Sequence, residues 1–424
     1  MKKTSCLSHA SSLLARFPVL AALAAFSGIA SAAGIQLFEQ NASGLGNAYA
    51  GSAANAENAS VLFYNPAAMT QLQAREISVG VAAVRPSYRF DNRASQGGAF
   101  AGAGDGGDGG NWLYAPNAYF SFALSRDWYV GLGISRPFGV DTEYSDPWLG
   151  AAQGTKLELK TININPSLAW RVSDKISVGI GANYQRLDAE YRGRASSIAG
   201  SGAATTLHLE TNDSAWGWNA GALFSLSPTT RVGVSYRSRI KYTLDGDVKA
   251  SGPGAGLGGA TRTDLKLPDT FILSVAQNIS DRWEMLGDLS WTGWSGVSRI
   301  NVTRGLATQP IEANLHNSWR VALGGTYKVN DAWKTKFGIA YDRSPVRDSH
   351  YRSVLAPDFD RWWFSLGGQW KPSKETALDF GVSYIYVRNS DIRNDHSASG
   401  AGIVDGRFDD SYGIVLGAQF SAGF

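Results

Sequence analysis

Side chains that commonly perform catalysis are few in this sequence and are not grouped. The only cysteine is Cys6, and the five histidines are His9, His208, His316, His350 and His396. No pair of histidines has the spacing of a metal site. The triplet Asp395-His396-Ser397 falls in a predicted loop, whereas a hydrolytic Ser/His pair would have to lie on a strand face. We therefore predict that the chain is not an enzyme and needs no metal or cofactor.

One glycine-rich stretch, residues 102–110, has a composition that could belong to a ligand-binding loop. It contains Asp105 and Asp108 but no lysine, so it does not match a phosphate-binding loop. Carboxylates are calcium ligands, which leaves calcium binding open at this stretch.

Composition narrows the class of protein further. Charged residues make up 18% of the chain, hydrophobic residues 44% and aromatic residues 12%. A soluble enzyme of this length would usually carry more charge. The net charge of +3, with no basic stripe, argues against nucleic-acid binding.

The N-terminus predicts export. Lys2 and Lys3 precede an apolar run over residues 17–29, and Ala30-Ser31-Ala32 matches a small-x-small cleavage site. Residues 1–32 are therefore predicted to be a signal peptide. A membrane anchor is the alternative, although the run is short for a span. Cleavage would leave a mature chain without cysteine. Because no later apolar run reaches about 18 residues, the protein is expected to be periplasmic, extracellular or an outer-membrane barrel.

Period-two alternation favours the barrel. The apolar members of four segments are Ile176, Val178, Ile180, Ala182 and Tyr184; Val232, Val234, Tyr236, Ile240, Tyr242 and Leu244; Leu378, Phe380, Val382, Tyr384 and Tyr386; and Tyr412, Ile414, Leu416, Ala418, Phe420, Ala422 and Phe424. Such alternation gives each strand one apolar face. Trp and Tyr at the strand ends suit the membrane interface, so we expect the apolar face to contact lipid and the polar or glycine face to line the lumen.

The connections predict the strand number. Six short polar turns alternate with seven longer loops, at about 91–114, 140–155, 193–212, 246–263, 301–311, 343–358 and 389–409. This asymmetry is typical of an up-and-down barrel with periplasmic turns and outer loops. We predict an all-β transmembrane fold, a 14-stranded antiparallel outer-membrane β-barrel over residues 75–424. The terminal aromatic Phe424 looks like the signal read by the outer-membrane assembly machinery.

Residues 33–74 break the strand pattern. They are Ala-rich and nearly uncharged, and a barrel of fourteen strands has a bore that is either open or plugged. We predict that this segment is an N-terminal helical hatch, or plug, inside the lumen. A free periplasmic tail is the alternative, but such a tail would usually carry more charge.

Several motifs in sequence order resemble the FadL family of outer-membrane long-chain fatty acid transporters. They are Ser43-Gly44-Leu45-Gly46-Asn47-Ala48-Tyr49-Ala50-Gly51, Asn65-Pro66-Ala67, Trp216-Gly217-Trp218-Asn219-Ala220-Gly221, Ser235-Tyr236-Arg237-Ser238, Trp291-Thr292-Gly293-Trp294-Ser295, Trp319-Arg320-Val321-Ala322-Leu323-Gly324, Ser344-Pro345-Val346 and Asp358-Phe359-Asp360-Arg361-Trp362. The resemblance implies capture of ligand among the outer loops, a pocket near the hatch N-terminus and lateral exit at a kinked third strand.

The sequence offers a reason for that kink. The third strand runs into Pro137, which cannot donate a ladder hydrogen bond, and then into Gly139, which tolerates unusual backbone angles. An ordinary strand end at Pro137 is the alternative. The residues expected at the lateral opening are Ser135, Arg136, Pro137, Phe138 and Gly139.

The resemblance also implies hatch and ligand contacts. Asn65-Pro66-Ala67 is expected to form a turn that touches the barrel wall by the kink, or a plain turn. Ile35 and Phe38 are expected to line the ligand pocket. The sequence departs from the family at the carboxylate clamp, because Tyr191 stands at the family's arginine position and Ile311 at its lysine position. Arg192 is a substitute candidate for the carboxylate contact, or a solvated loop arginine.

Passive outer-membrane transport of long-chain fatty acids or related lipophiles is the function predicted. The expected partners are the lipophilic ligand, outer-membrane lipid and lipopolysaccharide, and the assembly machinery. Uptake of monoaromatic hydrocarbons is the alternative within the family. A general aqueous porin or an adhesin barrel is the alternative outside it.

Overall fold

Fourteen antiparallel strands close into one barrel in a computed structural model, which describes residues 35–97, 100–196, 204–297, 299–304, 307–397 and 400–424. The predicted signal peptide lies outside the described residues. Consecutive strands pair along the chain, and the first strand pairs with the last from Glu76↔Gly423 onward. The predicted fold class, a 14-stranded antiparallel barrel, is confirmed.

Several of the strands are interrupted and therefore consist of two segments. The bounds are β1 Arg75–Asn92, β2 Leu113–Ala123, β3 Trp128–Ser135 and Gly139–Glu143, β4 Lys156–Ser173, β5 Ile176–Ser196, β6 Ala204–Ser227, β7 Thr230–Arg237 and Ile240–Ser251, β8 Gly259–Leu267 and Thr270–Asn278, β9 Trp283–Thr292 and Arg299–Arg304, β10 Ala307–Glu312 and Ser318–Lys328, β11 Trp333–Asp342, β12 Arg361–Trp370, β13 Thr376–Val387 and Ser390–His396, and β14 Gly402–Gly423.

The outer surface of the barrel has the aromatic girdles of a membrane protein. Near the short turns, Trp128 stacks on Trp170 with ring centroids 5.4 Å apart, and Trp333 stacks on Trp370 at 6.0 Å. Nearer the loops, four more aromatic pairs face outward, namely Tyr184 with Trp216, Trp218 with Tyr236, Tyr341 with Trp362, and Tyr384 with Tyr412. Between the girdles the exposed side chains are apolar, as at Leu132, Ile180, Leu366 and Phe380.

Residues 35–74, which precede β1, lie in the bore. They form short helical turns, a 3-10 turn at Leu45–Asn47, the α-helix α1 at Val61–Tyr64 and a 3-10 helix at Pro66–Gln71. No helix among the described residues has the length and apolar character that a membrane span requires.

Glycines on the lumen face of the wall let this segment approach closely. A Cβ added at Gly338 would lie 2.2 Å from the backbone carbon of Asn47, and one added at Gly233 would lie 2.0 Å from the carbonyl oxygen of Ala53. Both distances are shorter than any van der Waals contact. The glycine face predicted for the lumen therefore has a packing role, which is to seat the hatch backbone against the strands.

Two details of the predicted pattern are wrong. Strands run far into the stretches predicted as loops, since β6 begins at Ala204 and β13 resumes at Ser390. The apolar face of β7 also does not stay on one side. Val232 points outward, whereas Ile240 and Leu244, beyond the break after Arg237, are 4% and 1% exposed and point into the lumen.

The break in β7 causes this reversal. Arg237 and Ile240 both face inward although they are three residues apart, and a shift of one residue moves every later side chain to the other face. The outer part of the barrel therefore has an apolar interior and a charged exterior. Inward-facing residues there include Leu157, Leu159, Leu187, Leu207, Leu209 and Leu244, all buried.

Candidate transport site

The third strand is broken at residues 136–138. Ser135 pairs with Asn163 of β4, and Gly139 pairs with Lys160. Four residue steps on β3 therefore oppose three on β4, which is a bulge of one residue. On the other side, the β2–β3 ladder ends at Ala118↔Ile134, so residues 113–117 of β2 pair only with β1.

A side chain occupies the gap that the broken ladder leaves. The Arg136 guanidinium donates through Nη1 to the Tyr114 carbonyl oxygen of β2 at 2.8 Å and through Nη2 to the Leu159 carbonyl oxygen of β4 at 3.3 Å. Above the gap, the Asn111 amide donates to the Asp141 carbonyl oxygen at 3.1 Å. At this place the side chain of Arg136 connects the break in β3 to both neighbouring strands, and it takes the place of the ladder hydrogen bonds between β2 and β3 that end at Ile134.

The N-terminal segment of the hatch, residues 36–40, satisfies the carbonyl groups that the break exposes. The Leu37 amide donates to the Pro137 carbonyl oxygen at 2.9 Å. The Gln40 Nε2 amide donates to the Arg136 carbonyl oxygen at 2.8 Å. Because buried carbonyl groups without partners are costly, the break and this segment stabilise each other.

Two cavities lie on either side of this segment, and Gln36, Leu37 and Phe38 line both of them. We name each cavity after its cation. The Arg361 cavity is also lined by Val84, Leu113, Val140, Phe359, Trp363 and Ile385. The Arg237 cavity is also lined by Phe63, Pro137, Phe138, Ile240, Leu267 and Ile272. Both are mainly apolar, and both reach β3 next to its break.

The two cavity cations differ in their partners. Arg361 Nη2 lies 2.8 Å from Asp342 Oδ2 and 3.6 Å from Asp358 Oδ1, so its charge is compensated. Arg237 has no ion pair among the described residues. Its Nη2 donates to the Phe63 carbonyl oxygen at 2.8 Å, its Nη1 donates to Asn183 Oδ1, and its guanidinium carbon lies 4.3 Å from the Phe63 ring centroid.

A buried acid lies at the end of the N-terminal segment. Glu39 is 3% exposed, and burial raises the pKa of its carboxyl from 4.5 to about 7, although Arg361 and Arg320 nearby lower it. The Arg320 guanidinium carbon lies 4.7 Å from the Phe38 ring centroid, and Arg320 donates to the Ala48 carbonyl oxygen at 2.7 Å.

The rest of the hatch, residues 41–71, is anchored to the wall by charged and polar contacts. Lys336 Nζ lies 3.1 Å from Asp379 Oδ1 and also pairs with Glu57 of the hatch, which Lys334 Nζ contacts at 3.1 Å. Lys336 is 2% exposed. Ser52 Oγ donates to Asp288 Oδ2 at 2.7 Å. We call residues 41–71 the hatch body, and these bonds fix it to several strands.

The Asn65-Pro66-Ala67 turn lies in the hatch body and contacts the barrel wall. Asn65 caps the following 3-10 helix by accepting from the Ala67 amide, and its Nδ2 donates to the Ala222 carbonyl oxygen of β6 at 3.0 Å. A Cβ added at Gly179 of β5 would lie 2.5 Å from the Ala67 nitrogen. These two contacts are on β5 and β6, and the 3-10 helix that begins at Pro66 also contacts β3, where Met69 packs on Gly131. The contact of the turn with the wall by the third-strand kink, which the resemblance implies, stays a prediction.

Some of the residues predicted to contact the ligand lie at the cavities, and others do not. Phe38 lines both cavities, and Ile35 is buried beside the segment. Tyr191 faces the lumen and is buried, and Ile311 pairs with Ile300 in the β9–β10 ladder. Arg192 points to the outer face of β5 and pairs with Glu190 at 2.7 Å, so its geometry offers no contact with a ligand in the lumen.

The structure also gathers one group that sequence spacing did not reveal. Glu190, His208 and Glu210 bring donor atoms within 4.8 Å of one another on the outer face of β5 and β6. Glu190 already pairs there with Lys156 at 2.7 Å and with Arg192, so cationic side chains compensate its charge. We propose no metal at this group.

Two other loop features have structural contacts. Asp108 accepts from the Tyr88 amide at 2.8 Å and from Ser87 Oγ at 2.9 Å, which ties the glycine-rich loop to β1. Asp395 Oδ1 accepts from the Ser397 amide at 3.0 Å within a local turn. Phe424 follows β14, is 65% exposed, and donates its amide to the Arg75 carbonyl oxygen at 2.9 Å.

Comparison with known proteins identifies the family. Residues 23–424 match the family described as "Outer membrane protein transport protein (OMPP1/FadL/TodX)". The chain belongs to the FadL family. Members of this family are transport proteins, and this barrel accordingly resides in the outer membrane.

Relatives and solved structures resemble the chain over nearly its whole length. A protein of Salmonella typhi named "Long-chain fatty acid transport protein" is 30% identical, with 90% of this chain and 93% of that protein covered. The crystal structure of a Pseudomonas aeruginosa FadL homologue has a TM-score of 0.84 at 23% identity, covering 92% of this chain and 100% of the other. The Ralstonia pickettii toluene transporter TbuX has a TM-score of 0.66 at 15% identity, with coverage of 92% and 100%.

Proposed function

We propose that this protein carries long-chain fatty acids passively across the outer membrane and releases them sideways through the break in β3. The observation that supports this proposal most is that the hatch segment, the break in β3 and the two apolar cavities meet at one place. The hatch segment 36–40 binds the carbonyl groups of the break and lines both apolar cavities. Movement of one short segment would therefore both connect the cavities and uncover the wall opening.

The apolar interior of the outer barrel supports capture from the outside. Leucines from β4, β5, β6 and β7 line this interior, and Phe359 and Trp363 continue the apolar surface into the Arg361 cavity. Each methylene that leaves water contributes about 0.8 kcal/mol. An acyl chain therefore has a favourable path from the outer loops down to the hatch segment.

A lateral exit is physically preferable to an axial one for such a ligand. The hatch body is fixed to the wall below the cavities by ion pairs and by close contact with wall glycines. An axial route would require these contacts to break and would open a water-filled bore. The gap between β2 and β3 is bridged by the side chain of Arg136, which can move without breaking the ladder hydrogen bonds of β1 or β4.

The name of the Salmonella typhi relative supports a fatty acid as ligand. A neutral monoaromatic hydrocarbon is the alternative, and the apolar lining of both cavities is compatible with it. The hatch packs closely against the wall along the bore, and this packing does not favour a general aqueous porin.

Rebuilding the wall tests the lateral route. Replacing residues 135–139 by a continuous four-residue strand segment that pairs with both β2 and β4 should abolish oleate uptake by cells that lack other such transporters. Toluene sensitivity of the same cells distinguishes the two ligand classes in the unmodified protein. Normal oleate uptake through the rebuilt barrel, with heat-modifiable migration showing that it is folded, would refute lateral exit.

Residues on the outer surface of the barrel support lipopolysaccharide and the assembly machinery as partners. Above the outer aromatic girdle the surface of β4 and β5 alternates in charge, with Lys160, Arg186, Asp188 and Arg192 exposed. Phosphorylated lipopolysaccharide headgroups are the lipids found at that level, and basic side chains bind phosphate. Phe424, exposed at the membrane surface, is proposed as the contact for the assembly machinery.

A further inference from the structure

Among the described residues Arg237 has no counter-ion, although it lies at a place that a ligand can reach. It lies on the lumen face of β7 and lines the Arg237 cavity. Its hydrogen bonds go to neutral groups, the Phe63 carbonyl oxygen and the Asn183 side chain. Around Asn183 the neighbouring lumen side chains are also amides, namely Asn163 and Asn219.

Three other lumen cations are already satisfied in one of two ways. Arg361 is paired with Asp342, and Lys336 is paired with Asp379 and Glu57. Arg320 is covered by the rings of Phe38 and Trp363 and lines neither cavity. Arg237 differs from all three, since it combines an uncompensated charge with a cavity-facing position.

A second polar side chain of the same cavity can donate to an anionic ligand. Gln185, which is 1% exposed, also lines the cavity. Its side chain interacts with the buried Tyr242 hydroxyl, and neither Gln185 Nε2 nor the Tyr242 hydroxyl has another hydrogen-bond partner among the described residues. A side-chain amide has two N–H donors, so Gln185 can still donate to an acceptor-only group such as a carboxylate.

We propose that the Arg237 cavity binds the carboxylate head of the fatty acid, with Arg237 as its anchor and Gln185 as a second donor. A guanidinium has five N–H donors, and two of its nitrogens are used in the bonds to Phe63 and Asn183, so donors remain for a carboxylate. The acyl chain then lies along Phe63, Ile240, Leu267 and Ile272. This assignment rests on the proposed function and narrows its substrate class to acids.

The proposal also accounts for the departure from the family at the carboxylate clamp. Tyr191 and Ile311 stand where the resemblance implies cations, and Arg192 faces outward. Arg237 supplies a cation from a different strand, directly beside the hatch segment that closes the break. The head group would thus be held next to Pro137 and Phe138 of the opening, which line the same cavity.

Equilibrium binding of two matched ligands tests the assignment. We would titrate the purified mature chain, in a non-ionic detergent at pH 8, with oleate and with oleyl alcohol, which has the same chain and no charge. The wild-type protein should bind oleate roughly 10–100-fold more tightly than the alcohol, the range expected for hydrogen bonds to a charged group. Arg237→Gln should remove most of this preference by weakening oleate binding alone, and Arg237→Lys should retain part of it.

Arg192→Gln is the matched control, because it removes the same charge from the outer face of the barrel and should leave the preference unchanged. Undiminished preference for oleate in Arg237→Gln, or equal affinities in the wild-type protein, would overturn the Arg237 assignment while leaving transport of lipophiles intact. If the wild-type protein bound neither ligand, the proposed function itself would fail. Heat-modifiable migration of each variant shows whether its barrel is folded.

Discussion

The hatch body and the hatch N-terminal segment are held in different ways, although they are adjacent in the chain. Residues 41–71 are fixed by buried ion pairs and by backbone packed on wall glycines. Residues 36–40 are held by hydrogen bonds to neutral groups, two of them on the broken strand and the others on β2, β8, β9 and the hatch body, and cavities flank them on both sides. We infer that the segment can open without release of the body. A lipophile would then pass while water and ions stay excluded.

Removing the whole hatch should have the largest effect. Deletion of residues 33–74 from the mature chain takes away both regions and leaves a bore lined by polar residues and glycine. We expect large, steady single-channel conductance and increased sensitivity of cells to bulky antibiotics. A deletion variant that inserts normally and stays non-conducting would show that the wall seals itself.

Weakening only the hatch body should produce a partial leak. Lys336→Met leaves Asp379 buried without its cation and removes one of the two cations at Glu57. Removing one partner of a buried pair costs about 3–5 kcal/mol, so brief ion-conducting openings should appear in single-channel records.

Lys328→Met is the control for this change. Lys328 pairs with Asp331 in an exposed turn, and exposed pairs contribute about 0–1 kcal/mol. If Lys336→Met gave the same closed record as Lys328→Met, the ion pairs would not be what seats the body.

Changing only the N-terminal segment should give the smallest effect, and it should depend on pH. Burial raises the pKa of Glu39 to about 7 from 4.5, so the seated segment binds a proton more tightly than a released segment does. The contribution of Glu39 to the stability of the seated segment is therefore complete below about pH 4.5, and it is lost as pH rises through about 7. Hydrogen exchange of residues 35–40, corrected for its intrinsic pH dependence, should therefore accelerate across this range.

Glu39→Gln should flatten this pH profile, because the amide does not titrate. Glu375→Gln, in the short turn before β13, should leave it unchanged. An identical pH dependence in wild-type protein and Glu39→Gln would exclude Glu39 as its source.

The alternation of apolar and polar residues within each segment made the barrel predictable. The breaks within strands limited how far this prediction held. Alternation within one segment fixes which face meets lipid, as at Val232 and Val234. The alternation does not continue across a break, so it predicts the wrong face for Ile240. The sequence marked the β3 break through Pro137 and Gly139, since proline removes a ladder donor. Its hydrogen bonds to Leu37 and Gln40 join positions about 100 residues apart, and no local pattern reports them.

The ligand residues show the same limit. Arg192 follows the expected clamp position Tyr191 in the sequence, but neighbours in a strand point to opposite faces, so Arg192 faces outward where Tyr191 faces the lumen. Arg237 belongs to the motif Ser235-Tyr236-Arg237-Ser238, and the alternation itself predicts that it faces inward, because its neighbour Tyr236 faces outward. What the sequence did not contain was the set of neutral partners around it, since those come from β5 and the hatch.

A reversible cross-link between the hatch segment and the break tests the central claim most directly. Gln36 and Phe138 form an antiparallel bridge, a spacing suited to a disulfide, and the predicted mature chain has no other cysteine. In the double variant Gln36→Cys/Phe138→Cys, oleate uptake should stop on oxidation and return on reduction. The pair Gly287→Cys/Leu323→Cys, which links β9 to β10 in regular register, should take up oleate in both states. Equal uptake by the oxidised and reduced Gln36/Phe138 variant would contradict a gate at this contact.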